Sequence, residues 1–192
     1  PRMRETLMDY FDAAQACGTR VLRALATGLE IDPDHFLRDF DKPVSRGSLL
    51  YYPSDQSRLR REEYGAAPHT DYGTMTLLYQ DQVGGLQIRG RDGAWVDATP
   101  IEGTYVVNIG DLLARWSNDR FESTAHRVLG SGSRARYSVG LFLDPNWDAT
   151  VRPVTDDGEA AKYRAVRCAE YIIDRYAEAF AYRRDGLVGS GN

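Results

Sequence analysis

The chain has 192 residues, 42% of them hydrophobic, with 28 acidic and 24 basic side chains and a formal net charge of −4. That length and composition describe one globular unit with a sizeable core and exclude a disordered chain. The acidic balance gives no electrostatic case for nucleic acid, no apolar run reaches the length of a membrane span, and two cysteines without metal-site spacing exclude a disulfide scaffold or a thiolate metal site.

The sequence opens at Pro1 directly inside a helical pattern. Leu7, Phe11, Ala14, Val21, Leu22, Leu25 and Leu29 recur at helical spacing and predict a helix over 2–29, with Gly18 and Gly28 as weak points. Asp32 and Pro33 predict the N-cap and first residue of a second, short helix, which puts His35 at the surface. Cys17 and Cys168 read as packing residues, and the cluster Arg58, Arg60 and Arg61 as a solvated loop.

From residue 44 the pattern changes to short β-rich runs at 48–52, 74–79, 86–88, 95–97, 104–109, 126–129 and 137–143, separated by turn signals such as Val83-Gly84-Gly85. Many short punctuated strands imply an antiparallel double sheet, so the fold class is mainly β: a jelly roll with buttressing helices. The interruption at 111–118 predicts a helix capped by Asp111. Beyond Pro153, Asp157-Gly158-Glu159 opens a predicted terminal helix to about residue 184, with Tyr163, Val166, Ile173, Tyr176 and Phe180 towards the core. The expected organisation is a helical buttress over 1–43, a jelly-roll core over 44–150 and a C-terminal helix packed on it over 151–192.

Only three histidines occur, and two fall in a pattern: His69 and Asp71 lie two apart, and His126 follows 55 residues after the aspartate. Two imidazoles and one carboxylate can bind Fe(II) on one face of an octahedron and leave the other positions open. Pro68 biases Ala67 towards extended backbone, and in a strand i and i+2 share a face, so His69 and Asp71 are expected to grip one ion from a strand. Arg136 and Ser138 repeat the spacing and offer a guanidinium fork and a hydroxyl to one carboxylate. Either pair alone arises easily by chance as a strand-end histidine or a surface arginine; the ordered combination does not.

The run Gly65-Ala-Ala-Pro-His-Thr-Asp-Tyr-Gly-Thr-Met-Thr-Leu-Leu78 resembles the metal-binding segment of the isopenicillin N synthase-like Fe(II)/2-oxoglutarate-dependent dioxygenases. So do Val83-Gly-Gly-Leu-Gln-Ile88, Val107-Asn-Ile-Gly-Asp111, His126-Arg-Val128 and Arg136-Tyr-Ser138. The resemblance covers about 50–145. It implies Fe(II) at His69, Asp71 and His126, O2 as the oxidant, and 2-oxoglutarate as co-substrate with its distal carboxylate on Arg136 and Ser138. Tyr52, just before Pro53, matches a position from which a tyrosine often hydrogen-bonds the co-substrate, whereas Leu50 stands where many relatives place an asparagine. Asn108 and Asp111 match a structural turn. Phe142 shares strand parity with Arg136 and Ser138 and, like Tyr72, is a candidate for the substrate pocket, while Leu77, Leu78 and Ile109 are expected to help exclude water.

The implied reaction oxidises a small organic molecule by hydroxylation, desaturation or ring closure, with succinate and CO2 released. Two other readings stand beside it: an oxidase of the same fold that turns the Arg-X-Ser pair to another carboxylate, and a jelly-roll module that holds metal without turnover. Relatives normally carry a segment before the first helix, which supplies further strands and part of the pocket. Few thiols and an oxidisable iron site suggest the cytoplasm; the pattern carries no information on oligomeric state.

Overall fold

The computed structural model describes residues 2–54, 64–130 and 133–179. The arginine cluster at 58–61 and Phe180 fall outside them. Helix α1 (Met3–Gly28) buries Ala14, Gly18, Leu22 and Ala26, a stripe at fourfold spacing. Gly18 is a contact rather than a weak point: a Cβ there would lie 2.3 Å from Leu143 Cδ2. After α1 comes a 3-10 turn, His35–Leu37, in place of the expected short α-helix. Asp32 Oδ1 accepts the Asp34 N–H at 3.0 Å, closing a local turn instead of capping a helix. His35 is not a free surface residue but half-buried, its ring 5.4 Å from Phe36 and 6.4 Å from Trp116.

Eight strands and a short helix follow in order: β1 (Arg46–Tyr52), β2 (Tyr64–His69), β3 (Met75–Gln80), β4 (Leu86–Arg89), β5 (Trp95–Asp97), β6 (Val106–Ile109), α2 (Asp111–Trp116), β7 (His126–Leu129) and β8 (Arg136–Leu143). They form two antiparallel sheets, β1-β8-β3-β6 and β2-β7-β4-β5, the two layers of a jelly roll. Side-chain alternation divides the larger sheet. Met75, Leu77, Leu141 and Leu143 face out and share the main core with Leu22 of α1 and Leu112 of α2. Leu78 faces in and packs with Leu86 and Val128 of the smaller sheet, flanked by Tyr52 and Ala66. Of the apolar residues expected around the site, Leu77 and Ile109 therefore belong to the helix side, on the wrong parity.

The C-terminal part departs most from expectation. Gly158 takes φ +83, a turn conformation that stops a helix, and the chain beyond is pinned to the end of α2 by Asn118, which donates to Glu159 Oε1 at 2.7 Å and the Ala160 carbonyl at 3.2 Å. A two-residue pair, β9 (Thr150–Val151) with β10 (Val166–Arg167), precedes α3 (Cys168–Ala179). The helix thus starts eleven residues later than predicted and turns Tyr171 and Ile172 to the core, leaving Ile173 51% exposed. Cys17 and Cys168 are both free thiols, and burial pushes the Cys168 pKa up to about 12. Among the described residues no helix is long and apolar enough to cross a membrane.

Candidate active site

The histidines face each other because β2 carries an extra residue. Ala66 pairs with Val128 and His69 with His126, so three steps on β2 oppose two on β7. Without the bulge, residues 66 and 69 would point to opposite faces; with it, Ala66 joins the inner cluster and the His69 ring lies 4.4 Å from that of His126. Pro68 sits within the irregularity, where it has no N–H to leave unpaired.

Asp71 is not on the strand, as expected, but in the turn after it. The N-terminus of α2 fixes that turn. The Asp111 N–H donates to the Asp71 carbonyl at 2.8 Å, and the Leu112 N–H to the Tyr72 and Gly73 carbonyls at 3.2 and 3.1 Å. Backbones touch here: a Cβ on Gly110 would lie 2.0 Å from the Gly73 oxygen. Gly110, not Asp111, occupies the N-cap position. The Asp111 carboxylate instead accepts from the Thr70 hydroxyl at 3.1 Å and from Arg175 of α3 at 2.7 Å, holding the residue between the two ligands.

One ligand atom each from His69, Asp71 and His126 lies within 4.8 Å of the others. Asp71 and His126 are 9% and 6% exposed, with His126 Nε2 3.8 Å from Asp71 Oδ1. Asp71 Oδ2 is buried without a hydrogen-bond partner. Each imidazole faces the carbonyl two residues earlier through Nδ1, His69 to Ala67 at 2.7 Å and His126 to Thr124 at 3.2 Å. A carbonyl only accepts, so Nδ1 carries the hydrogen and Nε2 presents its lone pair to the cluster. Burial, opposed by the Asp71 charge, holds the His126 pKa below the usual histidine value, which favours the neutral, ligating form. This donor set fits a divalent cation. Among the described residues no fourth His, Cys, Asp or Glu joins it, so the set is that of an open site rather than a closed structural zinc.

The second constellation is on the larger sheet. Arg136 is 0% exposed and Ser138 is 2% exposed. The guanidinium donates to the Gly84 carbonyl at 2.7 Å, to Ser138 Oγ at 3.1 Å and to Gln80 Oε1 at 3.3 Å, and stands over the Tyr52 ring at 4.8 Å. Among the described residues no carboxylate pairs with it. A wholly buried cation among dipoles is costly to keep without an anion, and here only neutral oxygens surround it. Leu50, opposite Ser138, leaves an apolar flank there.

A cavity of about 370 Å³ adjoins the metal cluster, with His69 and Asp71 in its wall. Phe142 and Tyr72 both line it, as parity suggested for Phe142. Sequence reasoning missed Arg46, Asp144 and Tyr176 in the same wall, and Gln80 beside Arg136. Parity was a usable signal for two of them: Arg46 is six residues before Tyr52 on β1, and Gln80 two after Leu78 on β3. Asp144 Oδ1 accepts the Thr74 N–H at 2.8 Å and supports the ligand turn; burial raises its pKa.

Residues 46–145 match the model of the 2OG-Fe(II) oxygenase superfamily. The chain belongs to that superfamily. Among its relatives, the 2-oxoglutarate-Fe(II) type oxidoreductase hxnY of Emericella nidulans is 34% identical over 194 residues, 95% of this chain and 55% of that protein. Homoarginine-6-hydroxylase 2-ODD-233 of rice, Oryza sativa subsp. japonica, is 35% identical over 182 residues, 91% of this chain and 56% of that protein. The crystal structure of a full-length Neurospora crassa protein in complex with alpha-KG and thymine superimposes with a TM-score of 0.85 at 38% identity, covering 92% of this chain and 56% of that one. This superfamily member thus spans little more than half the length of these relatives.

Proposed function

We propose that the whole protein is a dioxygenase that uses Fe(II), 2-oxoglutarate and O2 to oxidise a small organic molecule, releasing succinate and CO2. The observation that carries this reading is the buried guanidinium of Arg136, surrounded by neutral acceptors in a chain that also gathers His69, Asp71 and His126. His69, Asp71 and His126 would hold Fe(II), which when bound supplies the oxidising chemistry with O2 and the co-substrate.

The protein's own residues bind and orient. Arg136 and Ser138 receive the distal carboxylate of 2-oxoglutarate, and Tyr52 covers the face of the guanidinium. The carbonyls of Ala67 and Thr124 keep both imidazoles in the tautomer that ligates. Leu78, Leu86 and Val128 keep bulk water from the space between the sheets. Phe142 and Tyr72 line the substrate pocket.

Full-length protein with Fe(II) and 2-oxoglutarate, held without O2, should develop a metal-to-ligand charge-transfer absorption, and a metabolite screen should find a substrate that triggers succinate release. Substrate oxidation at full rate without 2-oxoglutarate would replace this reading with the oxidase one.

A further inference from the structure

The cavity beside the metal cluster contains one strong hydrogen-bonding group most of whose donors are uncommitted. Arg46 is exposed and its guanidinium lies 4.7 Å from the Phe142 ring centroid and 5.8 Å from that of Tyr176. Among the described residues it donates only to the Tyr176 hydroxyl and forms no ion pair. A guanidinium has five N–H donors in a fixed fork, so most of this one's capacity is open. The other charged group in that part of the wall, Asp144, feels the Arg46 charge but forms no ion pair with it: one oxygen serves the Thr74 amide, and the side chain packs so closely on Gly73 that a Cβ there would lie 2.2 Å from Oδ1.

Much of the remaining wall is aromatic. Tyr72 meets Tyr176 edge to face at 5.5 Å, and Phe142 and Trp147 line it beside the aliphatic Val44 and Ile172. Arg46 and Phe142 are register partners on β1 and β8, so cation and ring are held together by the sheet. Flat walls of this kind select a planar ring, and a fixed fork beside them selects a hydrogen-bond acceptor on that ring.

We propose that this cavity takes a planar ring bearing a carbonyl or carboxylate, with Arg46 receiving the acceptor and Phe142 and Tyr72 flanking the ring. The proposal rests on the reading of the neighbouring cluster as an Fe(II)/2-oxoglutarate site. Arg46 is a specificity-determining residue in this arrangement: it sets which molecules enter, not how they are oxidised.

The test uses benzoate, benzamide and benzylamine as probes: one ring with an anionic acceptor, a neutral acceptor or a cationic donor. Each is titrated without O2 into full-length protein carrying Fe(II) and 2-oxoglutarate, with binding read by calorimetry and by perturbation of the charge-transfer band. The calorimetric arm is repeated on metal-free protein, so absence of the band counts against the Fe(II)/2-oxoglutarate reading alone. At least one acceptor probe should bind with the 2-oxoglutarate band retained, and benzylamine should not; benzoate over benzamide marks a carboxylate substrate, the reverse a neutral carbonyl. Arg46→Gln should weaken the binding of that probe about ten- to a hundred-fold, and Arg46→Lys should restore part of it for benzoate only. Benzylamine binding as well as the acceptors, no binding by either acceptor, or affinities unchanged in Arg46→Gln would overturn the proposal.

Discussion

The two ends of the site are built on opposite plans. The metal cluster sits at the edge of the smaller sheet, with one ligand in a turn, and its geometry comes from main-chain hydrogen bonds between that turn and α2. The buried Arg136 and Ser138 sit in the middle of the larger sheet on β8, between β1 and β3, and their geometry comes from side chains in a packed interior. The outer face of the larger sheet rests on the main core, whereas the smaller sheet contributes Leu86, Val128 and the partly buried Ala66 to the inner one. Backbone fixes the metal end, and side-chain packing fixes the anchor end, so each end should fail to a different kind of change.

The largest effect is expected from Gly110→Ala. A Cβ placed 2.0 Å from a backbone oxygen has no flexible neighbour to push aside, and overpacking of this kind costs at least about 1–3 kcal/mol. The turn must move and take Asp71 with it. Iron content and activity should fall far more than 2-oxoglutarate affinity measured on folded protein; equal losses at both ends would erase the contrast. The anchor end should break through chemistry instead. Arg136→Lys keeps the charge but loses the fork, weakening 2-oxoglutarate binding by about ten- to a hundred-fold with metal content preserved. An unchanged co-substrate affinity would mean that the guanidinium serves only the protein.

The smallest effect should be one of pH, and it belongs to the metal end together with the turn carrying His35. Burial lowers the pKa of both His126 and His35, so between those lowered values and the ordinary value near ~6.5 the unfolded chain binds more protons than the folded one. Stability should therefore rise with pH through that window, with this contribution level above and below it. Asp144, its pKa raised by burial, contributes with the opposite sign, so the measurement is the difference in urea unfolding between metal-free protein and its His35→Gln variant from about pH 5 to 7.5; identical slopes would contradict the lowered His35 pKa.

The contrast also explains what is legible in the sequence. Side-chain patterns on regular strands can be read because alternation is rigid: spacing alone puts Arg136, Ser138 and Phe142 on one face of β8, and turn signals alone imply the double sheet. Residue type and order single out His69, Asp71 and His126, but the expected reason, two ligands projecting from one strand, is not the one in the structure. A bulge and a turn supply the geometry, and neither has a periodic signal. Arg46 and Gln80 escape sequence reasoning because a polar residue at a strand end looks like surface until its neighbours across the sheet are known, and Asp144 because it follows β8 outside any strand. The terminal helix is misplaced because Asp157-Gly158-Glu159 resembles a helix start, while the contacts of Asn118 that pin this segment outside a helix come from a distant part of the chain.

The position of β8 has a consequence for how the molecule comes into being. It is the last long strand in the sequence, yet it lies between the first and the third, pairing Tyr52 with Arg136 and Gln80 with Ser138. A growing chain that has emerged through Leu129 already contains every metal ligand, but β1 has no partner in its sheet and β3 has only β6. Such long-range pairing forms late and slowly. The strand that completes the larger sheet is thus the one that brings Arg136 and Ser138.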